Sequence, residues 1–415
     1  MTSVEKPRSD TPATSGAVPA FFTDPDFDFE FRNALGATAY GVGDPGMWLA
    51  TAARISDGDR PSWFAVWSER ADQLSALGDT AGAAGDTRGA RWAYLSASAA
   101  YSRALGAVDG LPPDQGDAVM LPTFRSSRRC WDAMIDSSEG QFVRVEIPYS
   151  DTTLPGYLLR PDASGAARPT FVLTNGSDGS LSSLWASGAA EALERGWNAF
   201  VYDGPGQQSM LFEHAVPFRH DWEAVLTPVV DTLVARVDVD PDRLTAYGVS
   251  QAGYWLPRAL AFEHRFVAAV ADPGVVDVST AWTGKLPKNM VKMLDDGKRA
   301  AFNRDMGYAS KVPSLGRQLR FRARPFLRDS WFDVFTEVRR YELGDLGNEI
   351  RTPLFICDPE DEQFWPGQSQ ELAARVRGSV LVRFTAAEGA NFHCQPMGRM
   401  LTHERMYDWL EQQLA

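Results

Sequence analysis

The spacing of hydrophobic residues changes near residue 140. Between Phe21 and Asp136 the apolar positions recur with helical periodicity, most clearly in residues 61–77 and 87–105, and no segment has a convincing strand pattern. This pattern predicts an all-helical N-terminal cap domain over residues 21–140. Residues 1–20 are rich in Pro, Ser, Thr and Ala, a composition that cannot bury enough apolar surface to offset its ordering entropy, so we expect a disordered leader there.

The rest of the chain predicts a sheet interleaved with helices. Two alternating segments form a predicted hairpin, FVRVEIPY and TLPGYLLRP. Six short apolar segments then alternate with helical ones: PTFVLTNG, NAFVYDGPG, LTAYGVS, FVAAVADPG, TPLFICDPED and SVLVRFTAAEG. Alternation of this kind places strands parallel, with helices on both faces. We therefore predict an α/β catalytic domain formed by residues 141–276 and 350–415, interrupted by a helical lid at 277–349.

Composition narrows the class of ligand. With 41 Lys and Arg against 54 Asp and Glu, the net charge is −13 and no basic cluster is present, so we expect small molecules as ligands, not nucleic acid or a membrane surface. No apolar run is long enough to span a membrane, and the first twenty residues lack the apolar core of an export signal, so we expect a cytoplasmic protein. The three cysteines lack metal-ligand spacing, and neither a metal nor another cofactor is expected.

The strongest local signal for chemistry is LTAYGVSQAG, residues 244–253, where an apolar strand runs through a turn into a helix. A serine at such a turn sits on a strained backbone at the edge of the sheet, and the residues two positions away must be small. Gly248 and Ala252 meet that need, although glycine is usual at the second position as well. Ser250 is thus the predicted nucleophile, and a serine that only caps a buried helix is the alternative.

A serine hydroxyl needs an imidazole base, and the base needs a carboxylate to fix its tautomer. In this strand–turn–helix context the acid follows the serine along the chain and the histidine comes last. His393 follows the final predicted strand, whereas His264 and His403 lie in helical segments, so His393 is the predicted base. The strand TPLFIC is followed by DPEDE, and we predict Asp361 as the acid, with Asp358 as the alternative.

Two backbone N–H groups must stabilise the oxyanion that forms when a serine attacks a carbonyl. We assign one of them to Gln251, directly after the nucleophile. The other is expected from the loop TNGSDGS after the third predicted strand, where Gly176 or Ser177 would supply it.

Four further residues are candidates for contacting the substrate. Asn175 belongs to the same glycine-rich loop, and Trp185 follows it. His220 lies in a loop near the same sheet edge, where marking the start of a helix is the alternative role. Tyr101 lies in the helical segment 87–105, where packing between helices is the alternative.

With these residues, and with WAYLSASAAYSR (92–103) and DGPG (203–206), the chain resembles α/β-hydrolases that carry a helical N-terminal domain. It is similar to 2,6-dihydroxypseudooxynicotine hydrolase of nicotine-degrading bacteria and to fungal polyketide chain-shortening hydrolases, over about residues 20–415. The resemblance implies the α/β-hydrolase fold, a Ser250–Asp361–His393 triad, cleavage of a carbon–carbon bond next to a ketone, and a homodimer. One departure is that SLSSLW (180–185) lacks the glutamates that follow this loop in the nicotine enzyme.

The predicted function is that of a serine hydrolase acting on an ester, or on the C–C bond of a β-dicarbonyl, in a hydrophobic polyketide or other secondary metabolite. Because these reactions share one oxyanion, acyl transfer or cyclisation on the same triad and hydrolysis of an amide stay open. A ligand-binding protein that keeps the fold without catalysis is the alternative from another class, which loss of turnover in Ser250→Ala would exclude.

Overall fold

A computed structural model describes residues 19–415, so the predicted leader, residues 1–20, lies almost wholly outside the described residues. The helices in this range are α1 (Pro25–Ala37), α2 (Pro45–Ala52), α3 (Arg60–Ala83), α4 (Thr87–Leu105), α5 (Pro113–Asp136), α6 (Leu181–Leu184), α7 (Ala190–Glu194), α8 (Gln208–Phe212), α9 (Glu223–Val234), α10 (Ala252–Leu260), α11 (Thr280–Thr283), α12 (Lys288–Asp295), α13 (Arg299–Ala309), α14 (Pro313–Ala323), α15 (Trp331–Val338), α16 (Gln368–Arg375) and α17 (Arg399–Leu414). None of these helices is both long enough and apolar enough to cross a membrane.

One eight-stranded sheet forms the centre of the described chain. Its strands are β1 (Phe142–Tyr149), β2 (Thr152–Leu159), β3 (Arg168–Thr174), β4 (Asn198–Tyr202), β5 (Val239–Val249), β6 (Ala268–Asp272), β7 (Leu354–Pro359) and β8 (Val380–Phe384). Their order is β1-β2-β4-β3-β5-β6-β7-β8. β2 is antiparallel to both of its neighbours, and the other pairs are parallel. The predicted α/β fold class, with an antiparallel start leading into a parallel sheet, is confirmed.

The N-terminal helices share a core with one face of the sheet. α4 packs between α3 and α5 along a row of buried alanines, whose small side chains let the helices approach closely. At one such approach, a Cβ on Gly78 of α3 would lie 2.6 Å from the ring of Tyr94. The apolar cluster of these helices includes Trp67 and continues without a break to Phe171 and Tyr247 in the sheet. The helical region is therefore built onto the sheet through a common core.

The insertion between β6 and β7 consists of α11 to α15 and packs on the opposite apolar cluster. Trp282 contacts Phe326 and Phe335 at ring distances of 5.6 and 5.5 Å. Two ion pairs also join this segment to the N-terminal region: Arg317 of α14 pairs with Asp26 at 2.7 Å, and Arg324, directly after α14, pairs with Asp109. The insertion and the N-terminal helices thus meet each other as well as the sheet.

A buried contact joins the N-terminal region to the last helix. The hydroxyl of Tyr40 donates to Nδ1 of His403 at 2.6 Å, while Nε2–H of His403 donates to the carbonyl of Ser187 at 2.9 Å. Burial lowers the pKa of His403 to about 3, so the imidazole stays neutral and can accept from the tyrosine. His403, which lies in a predicted helical segment and was not chosen as the base, thus joins the N-terminal region to the last helix.

The turn after β5 generates a stability prediction, because its glycines touch other backbone. A Cβ on Gly253 would lie 1.8 Å from the carbonyl oxygen of Pro273, whereas a Cβ on Gly307 in α13 would meet open space. We expect Gly253→Ala to lower the free energy of unfolding by about 3 kcal/mol. Gly307→Ala should raise it by about 0.5–1 kcal/mol, since alanine favours the helix. Urea midpoints of the two variants measure this, and equal midpoints would contradict the close approach.

Candidate active site

Ser250 occupies the turn between β5 and α10. Its backbone is left-handed, with φ 58°, and its N–H donates to the carbonyl of Asp272 at 2.6 Å. A Cβ on Gly248 would lie 2.4 Å from the carbonyl oxygen of Ala252, so a small residue is required at that position. The strand, the sharp turn and the helix correspond to the predicted nucleophile elbow. The turn lifts the Ser250 side chain above the carboxyl edge of the sheet.

His393 lies against Ser250, in the loop between β8 and α17. Nε2 of its ring is 2.8 Å from Oγ of Ser250, and Nδ1 is 2.9 Å from each carboxylate oxygen of Glu362. The backbone N–H of His393 donates to Oε1 of Gln363 at 2.8 Å. The ring of Phe364 packs at 4.7 Å. These contacts hold the imidazole between a hydroxyl and a carboxylate.

The carboxylate that contacts His393 is that of Glu362, so the structure does not bring the predicted Asp361 to the imidazole. Asp361 instead accepts from Nδ2 of Asn391 at 2.6 Å, and the alternative, Asp358, accepts from Arg383 at 2.9 Å. β7 continues through Pro359, two residues beyond the end that its sequence predicts. Asp361 then forms an isolated parallel bridge to the His393 loop, and in extended chain the next side chain points the opposite way. That alternation turns Glu362 toward the imidazole.

The charges of this pair stabilise each other inside the protein. Burial alone would raise the pKa of Glu362, but the charge and hydrogen bond of His393 and the N–H groups of Phe364 and Trp365 outweigh it and lower the pKa. For His393, burial would lower the pKa, yet the net shift is well upward. The neighbouring thiol of Cys394 is itself neutral because burial raises its pKa, so the Glu362 carboxylate is the anion that raises the pKa of His393.

The glycine-rich loop after β3 touches the serine. A Cβ on Gly176 would lie 2.7 Å from Cβ of Ser250, so only glycine permits this approach. The loop is fixed from behind by Gln207, whose side-chain amide donates to the carbonyls of Asn175 and Gly176 at 2.7 and 2.9 Å. The backbone carbonyl of Asn175 thus accepts one of the hydrogen bonds that fix the loop. Its side-chain amide donates to the carbonyl of Ser180 at 2.9 Å.

The predicted oxyanion donors differ in whether their backbone N–H groups already donate a hydrogen bond. The N–H of Gly176 already donates to Oδ1 of Asn175 at 2.9 Å. No hydrogen bond from the N–H of Gln251 or of Ser177 occurs within residues 19–415. Of the two loop positions considered from the sequence, Ser177, which follows the glycine that contacts Ser250, is thus the one whose N–H has no hydrogen bond among the described residues.

The other predicted substrate contacts lie elsewhere. Tyr101 donates to Asp72 between helices of the N-terminal region, and Trp185 donates to the carbonyl of Tyr40 at 3.0 Å. His220 is 3.3 Å from Arg340, in a separate surface pocket of about 420 Å³. The contacts of these three residues are with those partners and not with Ser250 or His393. For Tyr101 the structure favours the helix-packing alternative.

Residues that the sequence pattern did not indicate surround the serine and the histidine. Phe29 of α1 lies 6.3 Å from the His393 ring and 6.1 Å from Phe364. The next side chain, Glu30, is exposed and pairs with Arg103 at 3.0 Å, and desolvation raises the pKa of its carboxyl. Asp178 shares this behaviour: its side chain is exposed, while burial raises its pKa against the opposing charges of Arg322 and His393. These two carboxylates, which the loop segment 180–185 does not supply, thus interact electrostatically with each other, and Asp178 also interacts with His393.

Acidic side chains such as these are common ligands of metal ions. In the part of the chain that the structure describes, no group of three or more His, Cys, Asp or Glu side chains could hold a metal ion. Glu362 is engaged by His393, and Glu30 by Arg103 at 3.0 Å.

The choice between the adjacent carboxylates can be tested directly. Because Glu362 raises the pKa of His393, Glu362→Gln should lower that pKa toward or below the ordinary value, whereas Asp361→Asn should leave it unchanged. An NMR titration of the His393 ring resonances in both variants measures the two shifts. A larger shift in Asp361→Asn would restore the original prediction.

The sequence of the chain is similar to those of several proteins named as hydrolases. No protein-family model matches the chain. It is 31 % identical over 417 residues to hydrolase LUC6 of a Fusarium species, covering 93 % of this chain and 96 % of the relative. It is 35 % identical over 272 residues to 20-hydroxy-prefusarin hydrolase FUS2 of Gibberella moniliformis, covering 63 % of each chain. α/β-Hydrolase psoB of Aspergillus fumigatus is 32 % identical over 277 residues, covering 64 % of this chain and 62 % of the relative.

Solved structures agree on the fold. The crystal structure of 2,6-dihydroxy-pseudo-oxynicotine hydrolase superimposes with a TM-score of 0.69 at 17 % identity, covering 90 % of this chain and 94 % of that one. AbyA5 superimposes with a TM-score of 0.58 at 18 % identity, covering 88 % and 93 %. The resemblance drawn from the sequence is confirmed, and the chain belongs to the α/β-hydrolase family.

Proposed function

We propose that the chain is a serine hydrolase in which Ser250 attacks a substrate carbonyl, with His393 as base and Glu362 as its carboxylate partner. The observation that carries this proposal is the continuous contact from Glu362 through His393 to Ser250, at 2.9 and 2.8 Å, on a left-handed turn. A serine raised on such a turn, with a buried imidazole at hydrogen-bond distance, has the arrangement that nucleophilic catalysis requires.

The reaction follows from these contacts. As Oγ of Ser250 bonds to the carbonyl carbon, its proton passes to Nε2 of His393, and the carbonyl oxygen becomes an oxyanion. Glu362 stabilises the resulting imidazolium through Nδ1–H. The imidazolium then gives its proton to the departing group, which leaves an acyl-enzyme. Water attacks the acyl carbon, loses a proton to His393, and releases the acid while Ser250 recovers its hydrogen.

The oxyanion is stabilised in this proposal by backbone donors. The N–H of Gln251 lies next to the nucleophile, and the N–H of Ser177 lies on the loop that touches it at Gly176. Both groups are fixed before substrate binds, so they require no reorganisation as negative charge develops. Loss of one oxyanion donor typically costs about 10²–10³-fold in kcat.

The substrate class is an ester, or a β-dicarbonyl whose C–C bond is cleaved, in a compound of polyketide type. Both leaving groups, an alkoxide and an enolate, can take the proton that His393 holds. One relative is named 20-hydroxy-prefusarin hydrolase, so 20-hydroxy-prefusarin is a first compound to test as a substrate. The aromatic rings of Phe29 and Phe364 beside His393 favour a substrate with apolar surface.

Covalent labelling tests the nucleophile. A fluorophosphonate should add once to the native protein, because it phosphonylates activated serines, and Ser250→Ala should take up no label. Intact-mass spectrometry measures the adduct. Ser209, a buried serine bonded to Asp203, offers a matched control, since Ser209→Ala should keep the label. A persistent adduct on folded Ser250→Ala would refute the assignment of Ser250.

Hydrolysis of p-nitrophenyl esters tests the acid. Glu362→Gln should reduce kcat by about 10²–10⁴-fold, since the imidazolium loses its counter-charge, while Asp361→Asn should stay within a few-fold of wild type. Activity should rise with pH as His393 loses its proton, and the inflection should move to lower pH in Glu362→Gln because the carboxylate raises the pKa. Similar losses of activity in both variants would contradict the role of Glu362.

A further inference from the structure

Arg322 of α14 is a cation without an anionic partner. Its side chain is partly buried, and within residues 19–415 its guanidinium forms no hydrogen bond and has no carboxylate within 4 Å. Its neighbours on the same helix are engaged: Arg317 pairs with Asp26, and Arg320 donates to the carbonyl of Asp109 at 3.1 Å. The contact that Arg322 does make is with the ring of Phe364, 5.7 Å from the guanidinium carbon.

This arrangement has an energetic consequence. Burial lowers the pKa of Arg322, against the opposing charges of Asp178 and Asp26, but a guanidinium keeps its charge at neutral pH. A buried charge whose hydrogen-bond donors are unmet destabilises the protein, and proteins normally pair such groups. Asp178 weakens the field of the cation at a distance without accepting from its N–H groups. The five donors of Arg322 are therefore available to a ligand.

The guanidinium lies close to the proposed chemistry. Phe364 links the two, because its ring is 4.7 Å from the His393 ring and 5.7 Å from the Arg322 guanidinium carbon. Arg322 is thus no more than about 10 Å from the imidazole that contacts Ser250. A molecule that presents a carbonyl to Ser250 and extends by several bonds along Phe364 reaches the guanidinium.

We propose that Arg322 binds an anionic oxygen group of the substrate, several bonds from the carbonyl that Ser250 attacks. A carboxylate and the enolate of a β-dicarbonyl share the required chemistry, since each can present two oxygens to the planar fork of a guanidinium. This inference rests on the proposed function for the attacked carbonyl and adds the substrate class: an acidic carbonyl compound. α14 of the inserted segment then contributes to substrate specificity as well as covering the site.

Matched esters test the inference. The probes are mono-p-nitrophenyl esters of glutaric, adipic and suberic acid, each compared with the p-nitrophenyl ester of the unbranched monocarboxylic acid of equal length. In Arg322→Met the ratio of kcat/KM for anionic over neutral ester should fall by about 10–100-fold at the chain length that reaches from Ser250 to the guanidinium. Arg320→Met removes the same charge from the same helix and should leave the ratio unchanged.

A second probe identifies the anion. Benzoylacetone, whose enolate carries two oxygens, is tested as a competitive inhibitor of neutral-ester hydrolysis. Inhibition that depends on Arg322 points to an enolate, and discrimination confined to the dicarboxylate esters points to a carboxylate. If Arg322→Met changes neither the ester ratio nor the inhibition, the inference is overturned.

Calorimetry on Ser250→Ala separates this inference from the proposed function. Binding of the anionic esters that is lost in Ser250→Ala/Arg322→Met, with no turnover by the wild-type protein, would keep the role of Arg322 and reject the hydrolase mechanism. Turnover of both ester classes with a ratio independent of Arg322 would keep the mechanism and reject the role of Arg322. Binding that survives in the double variant would likewise overturn the inference.

Discussion

The left-handed backbone of Ser250 is the constraint on which the site depends. A non-glycine residue in that conformation costs about 1–3 kcal/mol, and it persists only where the surroundings determine it. Here the N–H of Ser250 is bonded to the carbonyl of Asp272 at 2.6 Å. Glycines at 176, 248 and 253 let other backbone come within contact distance of the turn on three sides. The strain is thus balanced by packing, and the hydroxyl is fixed where His393 can reach it.

The groups near that hydroxyl and its histidine come from distant parts of the chain. α1 supplies Phe29 and Glu30, the loop after β3 supplies Asp178, α14 supplies Arg322, and the loop after β7 supplies Phe364. Each of these elements is positioned by contacts with the others, because the N-terminal helices share a core with the sheet and pair with the insertion through Arg317 and Arg324. The sheet edge positions Ser250 and His393, while the helical layers supply the side chains around them.

The strand, the turn and the small flanking residues of Ser250 are visible within ten positions of the sequence, and the structure brings the predicted His393 to 2.8 Å from its Oγ. The acid was missed by one residue, since β7 runs two residues further than its composition indicates and the alternation of side chains then selects Glu362 over Asp361. Phe29, Glu30 and Arg322 carried no sequence signal. Tertiary packing brings them toward His393, and a periodicity argument does not contain that information. Trp185 and Tyr101 are predicted substrate contacts because of their chemical type, but the groups to which they donate hydrogen bonds lie in the helical N-terminal region.

The bond between Tyr40 and His403 joins positions 363 residues apart. During synthesis at about 5–20 residues per second, about 20–70 s pass between the emergence of these two residues. Throughout that interval the face of the N-terminal region that packs on α17 has no partner, so its apolar side chains stay open to other molecules. A contact across 363 residues adds far more to the mean sequence separation of contacts than a helical contact does, and contacts of this kind slow folding because a long loop must close before they form.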